Sequence, residues 1–140
     1  VTKNIKINGD ATKEAYCFDL DNSKGEYFVY AKMCAKSATG KLYKSENTLW
    51  SKVYKHCEIQ KANLQVDVSG KGKNFTITIS TDKPAFFVAL DSTSIPGIFD
   101  KNLLTLLPDE KVEISFKAKK EISVEEFQKV LVIKDLSSSF

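Results

Sequence analysis

The sequence predicts an all-β chain: an antiparallel β-sandwich preceded by part of a second one. Two observations carry this. Apolar and polar residues alternate with period two through most of the chain, and turn residues punctuate the alternation at regular intervals. A single short helix signal near the end does not disturb the assignment.

In chain order, Lys3 to Ile7 alternates with Ile5 and Ile7 on one side, and Ala15 to Leu20 with Tyr16, Phe18 and Leu20 on one side. Asp21 to Gly25 is a polar break. Glu26 to Lys36 reads as a longer strand, with Tyr27, Val29, Ala31, Met33 and Ala35 opposite Phe28, Tyr30, Lys32 and Cys34. Ser37-Ala38-Thr39-Gly40 predicts a hairpin connection with glycine in the left-handed region, and Lys41 to Trp50 returns. About four strands result, where a sandwich of this kind needs about seven. Residues 1–58 are therefore expected to be the C-terminal half of a domain whose first strands lie upstream. Its open edge and apolar face would invite self-association between chains. The start, VTKNIKI, has neither a methionine nor a signal-like region, which suggests a piece of a longer protein.

Ser51 to Lys61 is the expected joint, and residues 59–140 are expected to form a complete domain. Leu64, Val66 and Val68 face in, Ser69-Gly70-Lys71-Gly72 turns, and Phe75, Ile77 and Ile79 face in. Phe86, Val88 and Leu90 face one side of the next strand while Ala85, Phe87 and Ala89 face the other. Both faces are apolar, which places this strand centrally, with Phe86 and Phe87 in the core. Ile95-Pro96-Gly97-Ile98 predicts a type II turn with Gly97 at positive φ. Leu103 to Leu107 is the next strand, closed by Pro108-Asp109, and Lys111 to Lys117 alternates again. Ser123-Val124-Glu125-Glu126 is a capping box that predicts a helical turn to Lys129, and Val130 to Leu136 is the last strand.

The stretch from Thr81 to Glu110 resembles the extreme C-terminal immunoglobulin-like domain of β-mannosidases of glycoside hydrolase family two. That family usually reads Gly-Arg-Phe-Ser-Asp-Asn, an aromatic pair, then Leu-Leu-Pro-Gly-Glu. Phe86, Phe87 and Leu90 of the AFFV-x-LD strand, with Gly97, Phe99, Asn102, Leu106, Leu107, Pro108 and Glu110, carry the resemblance. Ile98, Asp100, Lys101 and Asp109 depart from it, removing the family's arginine and shifting its acidic residue by one position. The tail from Phe127, with LVIKDL, resembles the family's last strand, and Gly40-Lys41 followed by SENTLW resembles the end of the preceding domain. The resemblance implies an immunoglobulin-like sandwich and a non-catalytic C-terminal region. It also implies a parent enzyme that removes terminal β-linked mannose by a retaining mechanism, with both glutamates in a barrel domain elsewhere. The partners it implies are the remaining domains of that enzyme. A stand-alone carbohydrate-binding or adhesion module of the same fold is the alternative.

Composition excludes several classes. The net charge of +3 arises from 21 lysines and no arginine, spread among 18 acidic residues, so the clustered arginines of a nucleic-acid binder are missing. No apolar run approaches the ~20 residues of a membrane-spanning helix. Cys17, Cys34 and Cys57 fit no zinc or redox spacing and are expected to be free thiols buried in strands; one disulfide with a leftover thiol, in an oxidising compartment, is the alternative. His56 is expected to be an exposed linker residue. Asn74-Phe75-Thr76 is a glycosylation sequon, in keeping with a lysosomal or secreted setting.

No catalytic, metal or cofactor site is expected. A retaining glycosidase needs two carboxyl groups about 5 to 5.5 Å apart, and the best local pair, Asp91 and Asp100, is expected to stabilise turns instead. Gly70-Lys71-Gly72-Lys73 lacks the strand and helix context of a phosphate loop. Trp50 and Tyr54, with Tyr43 close by, are the candidates for sugar contact; their alternative is burial between the two domains.

Overall fold

A computed structural model describes residues 2–7, 13–17, 19 and 25–139, the side chain of Ser139 excepted. The chain divides into two compact units, Val1–Cys57 and Glu58–Phe140.

In the first unit, β1 (Phe28–Lys36) and β2 (Leu42–Trp50) pair antiparallel from Phe28↔Trp50 to Lys36↔Leu42. The turn forms as its residues dictate. Gly40 has φ +85°, its amide donates to the Ser37 carbonyl, and the Ser37 hydroxyl accepts from the Lys41 amide. At the open end the Ser51 amide donates to the Tyr27 carbonyl, and the Tyr27 amide to the Ser51 hydroxyl. The expected strands at Lys3–Ile7 and Ala15–Leu20 do not form among the described residues; Phe18, Leu20 and residues 21–24 lie outside them. Alternation defines a face, but a strand also needs a partner for its backbone groups. Ile7 and Tyr16 are correspondingly more than half exposed.

The second unit is a sandwich of two antiparallel sheets, ordered β3–β7–β5 and β6–β4–β8. The strands are β3 (Leu64–Thr81), β4 (Ala85–Ser92), β5 (Gly97–Phe99), β6 (Leu104–Leu106), β7 (Lys111–Ile122) and β8 (Leu131–Lys134). The long β3 doubles back on itself. The Asn63 amide donates to the Asp82 carboxylate at 2.7 Å, whereas an extended chain between them would span about 60 Å. The reversal uses Gly70 (φ +132°) and Gly72 (φ +65°), where the sequence predicts a turn. A Cβ at Gly70 would stand 2.7 Å from the Phe75 Cα, so the two arms touch closely here. The second arm then pairs with β7, through Phe75↔Phe116, Ile77↔Ile114 and Ile79↔Val112.

The core lies between the sheets. Phe75, Ile77 and Ile79 of β3 and Ile114, Phe116 and Ala118 of β7 meet Ala85, Val88 and Leu90 of β4 and Leu106 of β6. The helix α1 (Val124–Val130) lays Phe127 into this layer. Phe127 stacks on Phe116 at 4.5 Å and 7°, and both Phe75 and Phe99 tilt against the pair. The capping box forms as predicted: the Ser123 hydroxyl accepts from the Glu126 amide while the Glu126 carboxylate accepts from the Ser123 amide. Leu64 and Val68 pack against the core, but Val66 is 42% exposed, against expectation.

Three further expectations fail in the central stretch. Phe87 is not a core residue: it is 42% exposed with φ +50°. Ala85 pairs with Leu106 and Val88 with Leu104, so β4 uses one residue more than β6 over the same span. This β-bulge reverses the alternation, putting Ala85 on the same side as Val88 and Leu90 and turning Phe87 out. Gly97 does not take positive φ, and no type II turn forms at residues 95–98; Gly97 instead begins β5. Its lack of a side chain serves packing, since a Cβ would run into the Phe116 ring and stand 2.7 Å from the Lys117 carbonyl oxygen. Leu103, expected to open a strand, has φ +55° and is 65% exposed.

Candidate functional site

The residues of the central stretch are joined by one side chain. Asn102 turns its amide onto the backbone of β4: Oδ1 accepts from the Leu90 amide at 2.8 Å and Nδ2 donates to the Leu90 carbonyl at 2.8 Å. It thus replaces one residue of a neighbouring strand, and satisfies both backbone groups of a buried residue where β6 has not yet begun. Oδ1 also accepts from the Leu103 amide, which accounts for the sharp turn into β6. Further on, Leu107-Pro108-Asp109-Glu110 is a closed turn in which the Glu110 amide donates to the Leu107 carbonyl and Asp109 has φ +64°. Proline second and positive φ third define a type II turn. Asp109 occupies it because aspartate is among the few residues that tolerate this region.

Asp91 and Asp100 are not brought together. Asp91 belongs to β4 and accepts from its neighbour Ser92, whereas Asp100 accepts from the Ser115 amide at 2.8 Å and extends the β5–β7 pairing in the other sheet. Both carboxylates therefore serve local backbone geometry. At Lys101 the ammonium donates to the Glu113 carbonyl. Among the described residues no group of three or more histidine, cysteine or acidic side chains could hold a metal ion.

Trp50 is half-buried and tilted against Phe28 at 5.9 Å, and Tyr54 lies 6.5 Å away at 59° to it. Rings at that angle do not form one flat platform. Tyr43 is not close by, because it pairs with Ala35 while Trp50 pairs with Phe28 at the other end of the hairpin. Successive residues of a strand point to opposite faces, so Tyr43 and Trp50 also lie on different sides. His56 is exposed in a single 3-10 turn, Tyr54–His56. The cysteines are free, but Cys17 and Cys34 are exposed and only Cys57 is half-buried, so the expected burial in strands fails. A two-layer ribbon is needed to bury a side chain, and the hairpin among the described residues has one layer.

An open depression of about 310 Å³ lies between β3, α1 and β8, lined by Val66, Val68, Gln128, Leu131 and Ile133. It offers one amide and no charge, which is not the lining of a catalytic cleft. Glu125, in the first turn of α1, has its carboxyl held below the usual glutamate range by its own backbone amide, then by the Ser123 hydroxyl and the charge of Lys129, against slight desolvation. That is a helix-end effect. Neither Asn102's role nor the Phe116–Phe127 stack is readable from local pattern; the sequence signals for Asn102 are its place in the family-like motif and its position just ahead of an apolar run.

The sandwich and its two-layer core define an immunoglobulin-like fold. The family Ig_mannosidase, an Ig-fold domain, matches residues 59–139, and the chain belongs to that family. No curated protein matches the chain.

Proposed function

We propose that the chain is the C-terminal accessory region of a β-mannosidase, a retaining glycosidase that removes terminal non-reducing β-mannose from oligosaccharides and glycoproteins. The observation that carries this reading is the family match over residues 59–139, which coincides with the Gly97 to Pro108 pattern. In this reading residues 1–58 are the C-terminal half of the preceding immunoglobulin-like domain, and residues 59–140 are the last domain. Its work is mechanical: it buries apolar surface against the remaining domains and holds the barrel in place. The hairpin supports the half-domain reading, since a two-stranded ribbon is marginal by itself and gains stability from further strands. The setting is lysosomal or secreted, and no nucleic acid or membrane is bound.

The test is the transcript read upstream of Val1. A region encoding the missing strands and a (β/α)-barrel with two glutamates at the C-terminal ends of its strands is expected. Tandem sandwich domains in its place would overturn the proposal in favour of an adhesion protein. The isolated chain is expected to hydrolyse no β-mannoside, and turnover above buffer would contradict the accessory role.

A further inference from the structure

We propose that Asn74 is an acceptor for an N-linked oligosaccharide. The inference rests on the lysosomal or secreted setting proposed above. Asn74-Phe75-Thr76 is the only Asn-x-Ser/Thr triplet in the chain. The fold places it where a glycan can stay in solvent after folding. Phe75 is 2% exposed and points into the core, so Asn74 and Thr76, its neighbours on either side, share the outward side of β3. Asn74 is exposed, as are Lys71 and Lys73 before it and Lys117 opposite it on β7. It follows directly on the reversal of β3, and the register shifts between Gly72 and Asn74. The amide therefore stands on the exposed face of β3 beside its reversal, where a bulky branch displaces no packed side chain.

The reaction is a group transfer without redox change. Asn74 Nδ2 bonds to the anomeric carbon of an oligosaccharide carried on a lipid diphosphate. The bond from that carbon to the diphosphate oxygen breaks, its electron pair leaves with the lipid diphosphate, and one amide proton is lost to the transferase. Thr76 supplies the hydroxyl that the transferase requires two residues on. One consequence concerns the assembled protein: a glycan at Asn74 keeps the reversal of β3 free of protein contact.

The full chain, led into the endoplasmic reticulum of cultured mammalian cells by an added cleavable signal, is digested with an N-glycan-releasing amidase and compared on a gel. A mobility shift is expected, with Asn74 converted to aspartate in the mass spectrum. The shift is expected to vanish in Asn74→Gln and Thr76→Val and to persist in Thr76→Ser. Reading the intracellular pool as well as the medium keeps the result valid for a variant that fails to fold. An unshifted parent chain, or a shift surviving in Asn74→Gln, overturns the proposal. Native protein from its source, digested in parallel, tests the compartment separately: an unshifted native protein beside a shifted directed chain sinks the lysosomal or secreted setting and not the acceptor.

Discussion

The β1–β2 hairpin and the pairing of β3 with β7 are both long antiparallel ribbons of alternating residues, yet they have opposite fates. In the hairpin no described residue is buried, and Met33, Leu42 and Leu49 are more than half exposed. In the other ribbon Phe75, Ile77, Ile79, Ile114 and Phe116 are all nearly inaccessible. Both ribbons carry β-branched and aromatic residues, the hairpin somewhat fewer. The second ribbon has a sheet facing it, with Phe127 of α1 filling the gap, and the first has no such layer among the described residues. Alternation thus selects a strand, but a second layer decides what it is worth.

The comparison is sharpened most by removing the centre of the buried ribbon. Phe116→Ala takes away the ring that Phe99 and Phe127 pack on, and is expected to lower stability by about 3–5 kcal/mol in urea unfolding followed by circular dichroism. Met33→Ala in the hairpin should move the same curve by less than about 0.5 kcal/mol. Equal losses would break the contrast. Next in size, Asn102→Ala leaves both backbone groups of buried Leu90 without their partner, at an expected cost of about 2–3 kcal/mol. Hydrogen exchange at the Leu90 amide should accelerate with it. Gly97→Ala drives a methyl against Phe116 and the Lys117 carbonyl, for an expected loss of about 1–3 kcal/mol. Were Gly97 a turn residue, as the sequence predicts, the loss would come without disturbance of the Phe116 ring, so its ring proton shifts decide between the two.

Smaller effects than those in the core lie at the helix. Ser123→Ala removes the cap of α1 and should cost about 1 kcal/mol. It should also raise the Glu125 pKa toward the ordinary value, measured by side-chain carboxyl NMR, because the Ser123 hydroxyl is one of the groups that lowers it. The sign for stability follows. A carboxyl with a lower pKa in the folded state stabilises fully above its unfolded value, about 4.3, and the contribution fades as pH falls through the folded value. Glu125→Gln should therefore flatten the acid limb of the stability curve below about pH 4.3, by a small amount for so exposed a group.

Much of the second unit was legible. The reversal at Gly70 and Gly72, the alternation of Phe75, Ile77 and Ile79, the strand from Lys111 and the Ser123 capping box all stand where the sequence predicts them. The family pattern was legible too, although not for the reasons that local rules supply. Turn rules predict a turn former at Gly97, which is a packing residue. Alternation predicts Phe87 in the core, and the bulge turns it outward.

The sequence by itself determined what is settled within a few residues. The Ser37–Gly40 turn, the Pro108-Asp109 turn and the helix cap close on their own hydrogen bonds, so their residue types suffice. Only the tertiary structure decided which face of β4 is buried, why Gly97 has no side chain, and what Asn102 holds. Each depends on a neighbour brought close by folding: Leu104 and Leu106 for the bulge, Phe116 for Gly97, and Leu90 for Asn102. A pattern along one strand cannot contain the register of the strand beside it.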